Sequence, residues 1–376
     1  MTVPPSDKIY RQLQVHLDKL PIGFPQASSG SDIRLLRAFF TPEDAQYALT
    51  LGFLPRPLLK LYKKAKKSLN ISREEFQQRL DSMALRGLIF SSKGATPSET
   101  TYMNAPVVVG FYEFNIDNIN QEKAAALEEY MKDVFIQEFT ATGIPQMRTI
   151  PVEITFTPEH PILAYDDVWQ IVDQMKPPYV VAECICTQEK EALGGKCQHE
   201  LTKRCICNSK WYLENGHGTE ITKDELVALI KRAQTDGLVL QPSTYQKGAF
   251  LCLCCSCCCG ILTNIKTLPA PAQSVWTNCF SRVDSTKCKA CGMCVRKCPM
   301  TAITIQENAV VNLDRCIGCG VCVASCPEKA IVLQQKPNKK EPPETATKMY
   351  VEIWKNRFKM SPMKRKLAML KDLIKM

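Results

Sequence analysis

The chain has 376 residues, 45% of them hydrophobic and 23% charged, which is ordinary for a protein with two or three domains. No apolar run is long enough to span a bilayer, and the N-terminus lacks the layout of a signal peptide, so we predict a cytoplasmic location. The formal net charge of +10 indicates nucleic acid, acidic lipid or an acidic protein as a partner. None of the twenty cysteines precedes Cys184 or follows Cys326, and in a reducing compartment this favours metal ligation over disulfides.

The N-terminal part of the chain carries helix signals. Residues 1–30 contain Pro and Ser and are predicted to be an arm or linker. Thr41-Pro42-Glu43-Asp44 predicts a helix start, and Ser72-Arg-Glu-Glu75 is a capping box opening a helix that Gly87 ends before a strand. Helices followed by a strand, together with the Met83–Ile89 stretch, resemble the winged-helix family. We therefore predict a winged-helix-like domain over residues 31–92.

A basic run lies on a predicted helix of this domain: Arg56, Lys60, Lys63, Lys64, Lys66 and Lys67. It could contact DNA phosphates, or it could be the solvated face of a domain that makes protein contacts. We favour the second interpretation because a fold does not fix a function.

Residues 93–180 are predicted to be an α/β connecting region. It alternates short apolar strands at 107–109 and 152–156 with helices at 121–139 and 166–175. The chain has no Gly-rich nucleotide fingerprint, no P-loop and no helix with paired zinc-binding histidines. No catalytic residue is predicted.

Residues 181–265 are predicted to be a cysteine-rich metal-binding module. Its candidate ligands are Cys184, Cys186, Cys197, Cys205, Cys207, Cys252, Cys254, Cys255, Cys257, Cys258 and Cys259. A turn at Ser256 would let the two halves of the 251–260 run converge, and the Cys-x-Cys pairs could join from another loop. Two interpretations stay open: a further iron–sulfur cluster or other metal centre, or a zinc-stapled or unligated structural element. Cys279 stands apart and is predicted to be a buried thiol.

The segment 280–335 holds a duplicated motif. It contains Cys288, Cys291, Cys294 and Cys298-Pro299, and the same spacing recurs 28 positions later with Cys316, Cys319, Cys322 and Cys326-Pro327. Three thiolates with two residues between neighbours can bind three irons of one cube, and the fourth cysteine crosses to the other cube. We therefore predict one [4Fe–4S] cluster on Cys288, Cys291, Cys294 and Cys326, and a second on Cys316, Cys319, Cys322 and Cys298.

These cysteines resemble those of the bacterial dicluster ferredoxins. The resemblance implies a pseudo-twofold βαβ-βαβ fold and one-electron transfer through two low-potential clusters. The stretches 181–207 and 251–262 resemble a module that accompanies dicluster ferredoxins in strictly anaerobic bacteria. That second resemblance implies architecture and no particular activity.

Residues 336–376 are predicted to be a basic amphipathic tail. Its part from residue 346 carries nine Lys or Arg against Glu352 and Asp372, interleaved with Trp354, Phe358, Met363, Leu367, Leu370, Leu373 and Ile374. A basic helix with an apolar stripe can lie on an acidic membrane surface, here the inner membrane, or dock on a partner. A solvated tail is the remaining interpretation.

These observations predict a multidomain α+β protein that relays single electrons through two [4Fe–4S] clusters. We expect a subunit or partner of an anaerobic oxidoreductase, with a redox protein as donor and another as acceptor, more than a complete enzyme. One alternative is an iron–sulfur DNA-binding regulator that responds to redox state. The other is a catalytic thiol or disulfide reductase subunit acting at Cys252–Cys259.

Overall fold

The computed structural model describes residues 7–94, 96, 99–152 and 163–361. The chain forms two compact units. The first comprises Met1–Phe139, Gln188–Gly195 and Ile353–Met376, and the second comprises Thr140–Thr187 and Lys196–Glu352. Helices are mixed with small antiparallel sheets, as an α+β protein requires. No helix among the described residues is long and apolar enough to cross a membrane.

The elements follow one another closely along the chain. The helices are α1 (Lys8–Leu17), α2 (Ser31–Phe39), α3 (Pro42–Ala48), α4 (Leu58–Leu69), α5 (Arg73–Leu85), α6 (Gln121–Tyr130), α7 (Ile136–Ala141), α8 (Val168–Gln174), α9 (Ile185–Ala192), α10 (Lys210–Glu214), α11 (Lys223–Thr235), α12 (Gly260–Lys266), α13 (Met293–Lys297), α14 (Val321–Ala324) and α15 (Ala346–Met360). The strands are β1 (Arg56–Pro57), β2 (Ile89–Ser92), β3 (Thr101–Asn104), β4 (Tyr179–Glu183), β5 (Lys203–Cys207), β6 (Gly218–Ile221), β7 (Val239–Pro242), β8 (Phe250–Cys254), β9 (Cys279–Val283), β10 (Ile303–Ile305), β11 (Ala309–Val311) and β12 (Ile331–Gln335). A π-helical turn, Met131–Phe135, joins α6 to α7.

The helix starts of the first unit follow the predicted caps. Thr41 and Asp44 form a capping box at α3, and Ser72 and Glu75 form one at α5. Gly87 takes a φ of 71° after α5, and the chain then enters β2. The strands form an antiparallel sheet in the order β1-β3-β2.

The prediction of an arm over residues 1–30 is wrong for its described part. Residues 8–17 form α1, whose Leu13 and Leu17 are buried. Phe24, beyond the helix, is also buried and stacks on Tyr130. The apolar residues of this segment are spaced to pack on the unit, and the Pro and Ser residues that suggested a linker lie between them.

The predicted strand at 107–109 is also wrong. Residues 107–111 form an irregular turn whose hydrogen bonds are local, since Phe111 N–H donates to Pro106 and Gly110 N–H donates to Glu113 Oε2. An apolar run of three valines is compatible with a buried turn as well as with a strand. The predicted strand at 152–156 lies outside the described residues except for Val152.

The described part of the predicted tail contributes α15. Met349 and Ile353 are buried on this helix, and Arg357 is 3% exposed. The Arg357 guanidinium pairs with Asp18 at 2.8 Å and with Glu138. Met349, Ile353 and Arg357 therefore pack against other parts of the chain and do not face solvent. The apolar positions from Met363 to Ile374 lie outside the described residues.

The second unit is built around a five-stranded antiparallel sheet in the order β6-β4-β5-β8-β7. Cys205 on β5 lies opposite Cys252 on β8, and Ile206 lies opposite Leu251. Because side chains alternate along a strand, the cysteines of β5 and β8 share one face of this strand pair, and Ile206, Leu251 and Leu253 lie on the other. Thr222 and Glu225 form a capping box at the start of α11.

The segment 280–335 has a duplicated β-α-β order. Strand β9 pairs with β12, and β10 pairs with β11. Helix α13 lies between β9 and β10, and α14 lies between β11 and β12. Each cysteine motif therefore contains one short helix, which carries the third cysteine of the motif.

Candidate metal centres

Four cysteines from both repeats line one small cavity of the segment 280–335. They are Cys288, Cys291, Cys294 and Cys326, which we call quartet 1. Cys288 and Cys291 come from the loop before α13, Cys294 lies on α13, and Cys326 follows α14. The structure thus brings together the four residues predicted for one cluster.

A second small cavity is lined by the other four cysteines: Cys298, Cys316, Cys319 and Cys322, which we call quartet 2. Cys298 follows α13 and crosses from the first repeat, as Cys326 does in the opposite direction. The exchange of the fourth cysteine between repeats was a prediction from spacing, and the structure places the side chains in that arrangement.

Backbone N–H groups point at the sulfurs in a repeated pattern. Ala302 N–H donates to Cys298 Sγ at 3.2 Å, and 28 positions later Ala330 N–H donates to Cys326 Sγ at 3.3 Å. Hydrogen bonds of this kind stabilise thiolates and tune the potential of an iron–sulfur cluster. The donor set therefore fits a thiolate-bound cluster.

The backbone repeats the same special conformations. Ala290 and Gly318 have φ of 51° and 66°, and Thr301 and Lys329 both have φ of 48°. Each pair is separated by 28 positions. Residues with side chains adopt such angles rarely, so their recurrence shows that the two repeats share one loop geometry.

The two quartets differ in exposure. In quartet 1 the Cys291 side chain is exposed, whereas in quartet 2 Cys316, Cys319 and Cys322 are all buried. Burial raises the pKa of the Cys319 thiol, and it raises the pKa of Cys322 to about 12. Without a metal these buried thiols stay protonated, and a bound metal cation would stabilise their thiolate forms.

Six of the eleven cysteines in the module 181–265 form a continuous set, which we call the six-thiol group: Cys184, Cys186, Cys205, Cys252, Cys254 and Cys259. Hydrogen bonds connect Cys184 with Cys186, Cys186 with Cys259, Cys259 with Cys254, Cys254 with Cys252, and Cys252 with Cys205. Strand pairing explains the core of the group, because Cys205 faces Cys252 and Cys254 follows on the same side of β8.

A separate set lies beside it, which we call the four-thiol group: Cys197, Cys255, Cys257 and Cys258. Their sulfurs all lie within 4.8 Å of one another. The predicted turn at Ser256 is present and places Cys255, Cys257 and Cys258 around one point, and Cys197 joins from the loop before β5.

Arg204 lies between the two groups, and sequence reasoning missed it. Its side chain is buried, its Nη2 lies 3.4 Å from Cys197 Sγ, and it also hydrogen-bonds Cys255. Burial lowers the pKa of Arg204, but the neighbouring sulfurs of Cys184 and Cys255 outweigh burial and raise it. Arg204 directly precedes the Cys205-Ile206-Cys207 pair, and a cation at that place in the sequence is the signal that could have identified it.

Two cysteines belong to neither group. Cys207 is buried on β5, and burial raises its pKa to about 11. Cys279 is buried on β9, as predicted, and burial raises its pKa to about 12. Cys207 was among the candidate ligands, and the structure does not bring it into either group.

Comparison with known families agrees with the geometry of the segment 280–335. A family model described as a 4Fe-4S dicluster domain matches residues 280–327, and a second model with the same description matches residues 315–359. The first match contains all eight cysteines of the quartets. No curated protein and no solved structure matches the chain. The chain therefore contains a ferredoxin-like iron–sulfur domain.

Proposed function

We propose that the protein transfers single electrons through two [4Fe–4S] clusters, one on quartet 1 and one on quartet 2. In this proposal it serves as a subunit or dedicated partner of an oxidoreductase in the cytoplasm of an anaerobic cell. The observation that carries the proposal is that each cavity of the segment 280–335 contains one complete quartet. A [4Fe–4S] cluster with four thiolate ligands accepts and releases one electron.

The difference in exposure between the two quartets indicates at which of them a redox partner docks. Cys291 is exposed, so quartet 1 is the side at which a redox partner can approach. Its surroundings are basic, since Lys287, Lys289 and Arg296 are exposed around the same loop. We infer that the partner which docks there presents an acidic surface.

Quartet 2 is suited to the inner position of the relay. Ser281 N–H donates to Cys316 Sγ at 3.4 Å, and the Ser281 hydroxyl lies 3.2 Å from Cys322 Sγ. Such hydrogen bonds and burial both act on the reduction potential, so the two clusters are expected to have different potentials.

The six-thiol group supports a further iron–sulfur centre. Six sulfurs exceed what one tetrahedral ion can use, and soft thiolate ligands select iron–sulfur clusters among the common protein metals. In the proposal this centre receives electrons from, or delivers them to, the segment 280–335.

The whole protein, purified without oxygen, tests the assignment through iron, acid-labile sulfide and EPR of the reduced state. Two clusters require about eight iron and eight sulfide per chain, and a further centre raises both numbers. Cys291→Ala and Cys319→Ala should each remove about four of each, and Cys279→Ala, a buried cysteine outside both quartets, should remove none. Equal losses in all three variants, or a wild-type protein without sulfide, contradict the proposal.

The alternatives are not favoured. For a DNA-binding regulator, the lysines of α4 are exposed, but α5 begins with exposed Glu74 and Glu75, which repel phosphates. For a thiol reductase, the cysteines from Cys252 to Cys259 divide between two multi-sulfur groups, which is the arrangement of metal ligands.

A further inference from the structure

We propose that the four-thiol group of Cys197, Cys255, Cys257 and Cys258 binds one tetrahedral metal ion, Zn²⁺ or Fe²⁺, and not an iron–sulfur cluster. This inference does not depend on the electron-transfer proposal, because it concerns another set of cysteines.

The spacing of the sulfurs fits one ion. Cys197 Sγ lies 3.9 Å from Cys255 Sγ and 3.8 Å from Cys257 Sγ, and Cys258 Sγ lies 3.7 Å from Cys257 Sγ. Cys255 and Cys257 are closer, at 3.3 Å. With metal–sulfur bonds of about 2.3 Å, the corners of a regular tetrahedron are about 3.8 Å apart. The four sulfurs therefore already have the separation that one ion requires.

The same spacing is too small for a cube. In a [4Fe–4S] cluster each thiolate binds a different iron, so the thiolate sulfurs are separated by an iron–iron edge and point outward from it. Across the part of the chain that the structure describes, the four-thiol group and no other set brings three or more His, Cys, Asp or Glu ligand atoms within 4.8 Å of one another. The quartets of the segment 280–335 do not meet that distance, although each lines a single cavity. The distances between the sulfurs therefore distinguish a site for a single ion, the four-thiol group, from sites for clusters, the two quartets.

The local chain holds the ligands in place. Cys255, Cys257 and Cys258 belong to the turn that ends β8, and the backbone N–H of Gln198 donates to Cys257 Sγ. An ion bound here would tie this turn to the loop that precedes β5. Backbone donors to the sulfur are typical of thiolates that bind a metal.

The charge of Arg204 gives an independent argument. This side chain is 1% exposed, and its Nε and Nη1 have no hydrogen-bond partner. Among the described residues no carboxylate forms an ion pair with it. A buried guanidinium without a counter-charge is costly, and four protonated thiols would supply none. Four thiolates around a divalent ion carry a net charge of −2, and they lie next to Arg204.

Metal analysis and X-ray absorption of the whole protein, purified without oxygen, test the proposal. We expect about one ion per chain that is not matched by sulfide, bound by four sulfurs at about 2.3 Å with no neighbouring metal. If that ion is zinc, its own absorption edge reports the shell directly. If it is iron, Mössbauer spectra should show one high-spin Fe²⁺ site outside the clusters. A wild-type protein in which all metal is iron matched by sulfide overturns the proposal, whatever the variants do.

A variant pair locates the ion. Cys257→Ala should lose this ion and keep its full sulfide content, whereas Cys207→Ala, a cysteine of the same module outside both groups, should keep both. If Cys257→Ala loses sulfide together with iron, the group holds a cluster and the proposal is wrong. Failure of the electron-transfer proposal appears separately, in the sulfide content and in the Cys291 and Cys319 variants.

Discussion

At Gly318 the second cysteine loop passes so close to β9 that no side chain fits. A Cβ there would lie 2.2 Å from the carbonyl oxygen of Cys279, which is backbone and cannot rotate away. The equivalent residue of the first repeat is Ala290, which keeps its Cβ at a similar positive φ. The glycine is therefore required by close contact more than by its backbone angle.

Gly318→Ala is expected to remove the metal of quartet 2 and to destabilise the segment 280–335. Gly292→Ala is the matched control, since its φ is 73° and the nearest atom to a new Cβ is the flexible Arg296 Nη1 at 3.4 Å. The control should cost only about 1 kcal/mol of backbone strain and keep full metal content. Iron and sulfide analysis with thermal unfolding compares the two variants. Equal loss in both would show that the positive φ, and not the contact, is decisive.

Glu189 is a buried carboxyl whose protonation should affect stability. It accepts a hydrogen bond from Tyr112 Oη, and Glu128, Lys132 and Lys190 also act on it. Burial raises the pKa of Glu189 to about 7 from an ordinary value of 4.5. Between these two pKa values the folded state binds a proton that the unfolded state releases. The free energy of unfolding therefore falls as the pH rises from 4.5 to about 7.

Glu189→Gln should relieve this cost while keeping an acceptor for Tyr112. We expect the free energy of unfolding to rise by about 3 kcal/mol at a pH of about 8 and to change little at a pH of about 5. Anaerobic urea unfolding at the two pH values measures it. Glu191→Gln, an exposed glutamate on the same helix, is the control and should show no such difference between pH values. A gain of the same size at both pH values would rule out a protonation effect.

Structural elements that depend on residues close together in the chain could be predicted from the sequence. The capping box at Ser72 correctly predicted the start of α5, and the duplicated cysteine motif predicted which cysteines line each cavity of the segment 280–335. Each of these signals depends on residues close together in the chain, where side-chain and backbone geometry dominate. The turn at Ser256 belongs to the same class.

Elements that depend on distant partners were not predictable. In α15, Arg357 looked like one cation of a basic tail, but it pairs with Asp18 and Glu138, far away in the chain. The grouping of the eleven cysteines likewise depends on β5 pairing with β8, which no local spacing reveals. Helix α1 was missed because residues further along the chain hold it in place: Tyr10 Oη donates to the Phe40 carbonyl at 3.0 Å, and Gln14 Nε2 donates to the Phe24 carbonyl at 2.6 Å. In each case tertiary contacts determine what the local pattern leaves open.

The stretch 336–343, which follows β12, is also held by hydrogen bonds to residues that are distant in the chain. Lys336 N–H donates to the Asn278 carbonyl at 2.7 Å, and Lys340 N–H donates to Asn278 Oδ1 at 2.8 Å. Further along, Gln246 N–H donates to the Pro343 carbonyl at 2.9 Å. Residues 336–343 were predicted only as the beginning of a basic tail, but backbone hydrogen bonds fix this stretch to other parts of the second unit.

For the molecule as a whole, the position of its charges matters more than their sum. The net charge of +10 attracts acidic molecules in general, whereas the proposed electron transfer needs a redox partner to reach quartet 1. The exposed Cys291 lies in the loop that carries exposed Lys289 and leads to exposed Arg296. Under the proposed function, these cations orient an acidic redox protein so that its own redox centre faces quartet 1.

The variant Lys289→Glu/Arg296→Glu should therefore accept electrons more slowly from an acidic flavodoxin-type donor. We expect the second-order rate constant to fall by about tenfold or more at low ionic strength, and the difference to shrink at high salt because the charges are screened. Stopped-flow absorbance measures the rate, and iron content confirms that both clusters remain. Lys63→Glu/Lys64→Glu makes the same change of net charge at two exposed lysines of α4 and should have little effect. If the two double variants slow the reaction equally, only the net charge matters and quartet 1 is not the docking side.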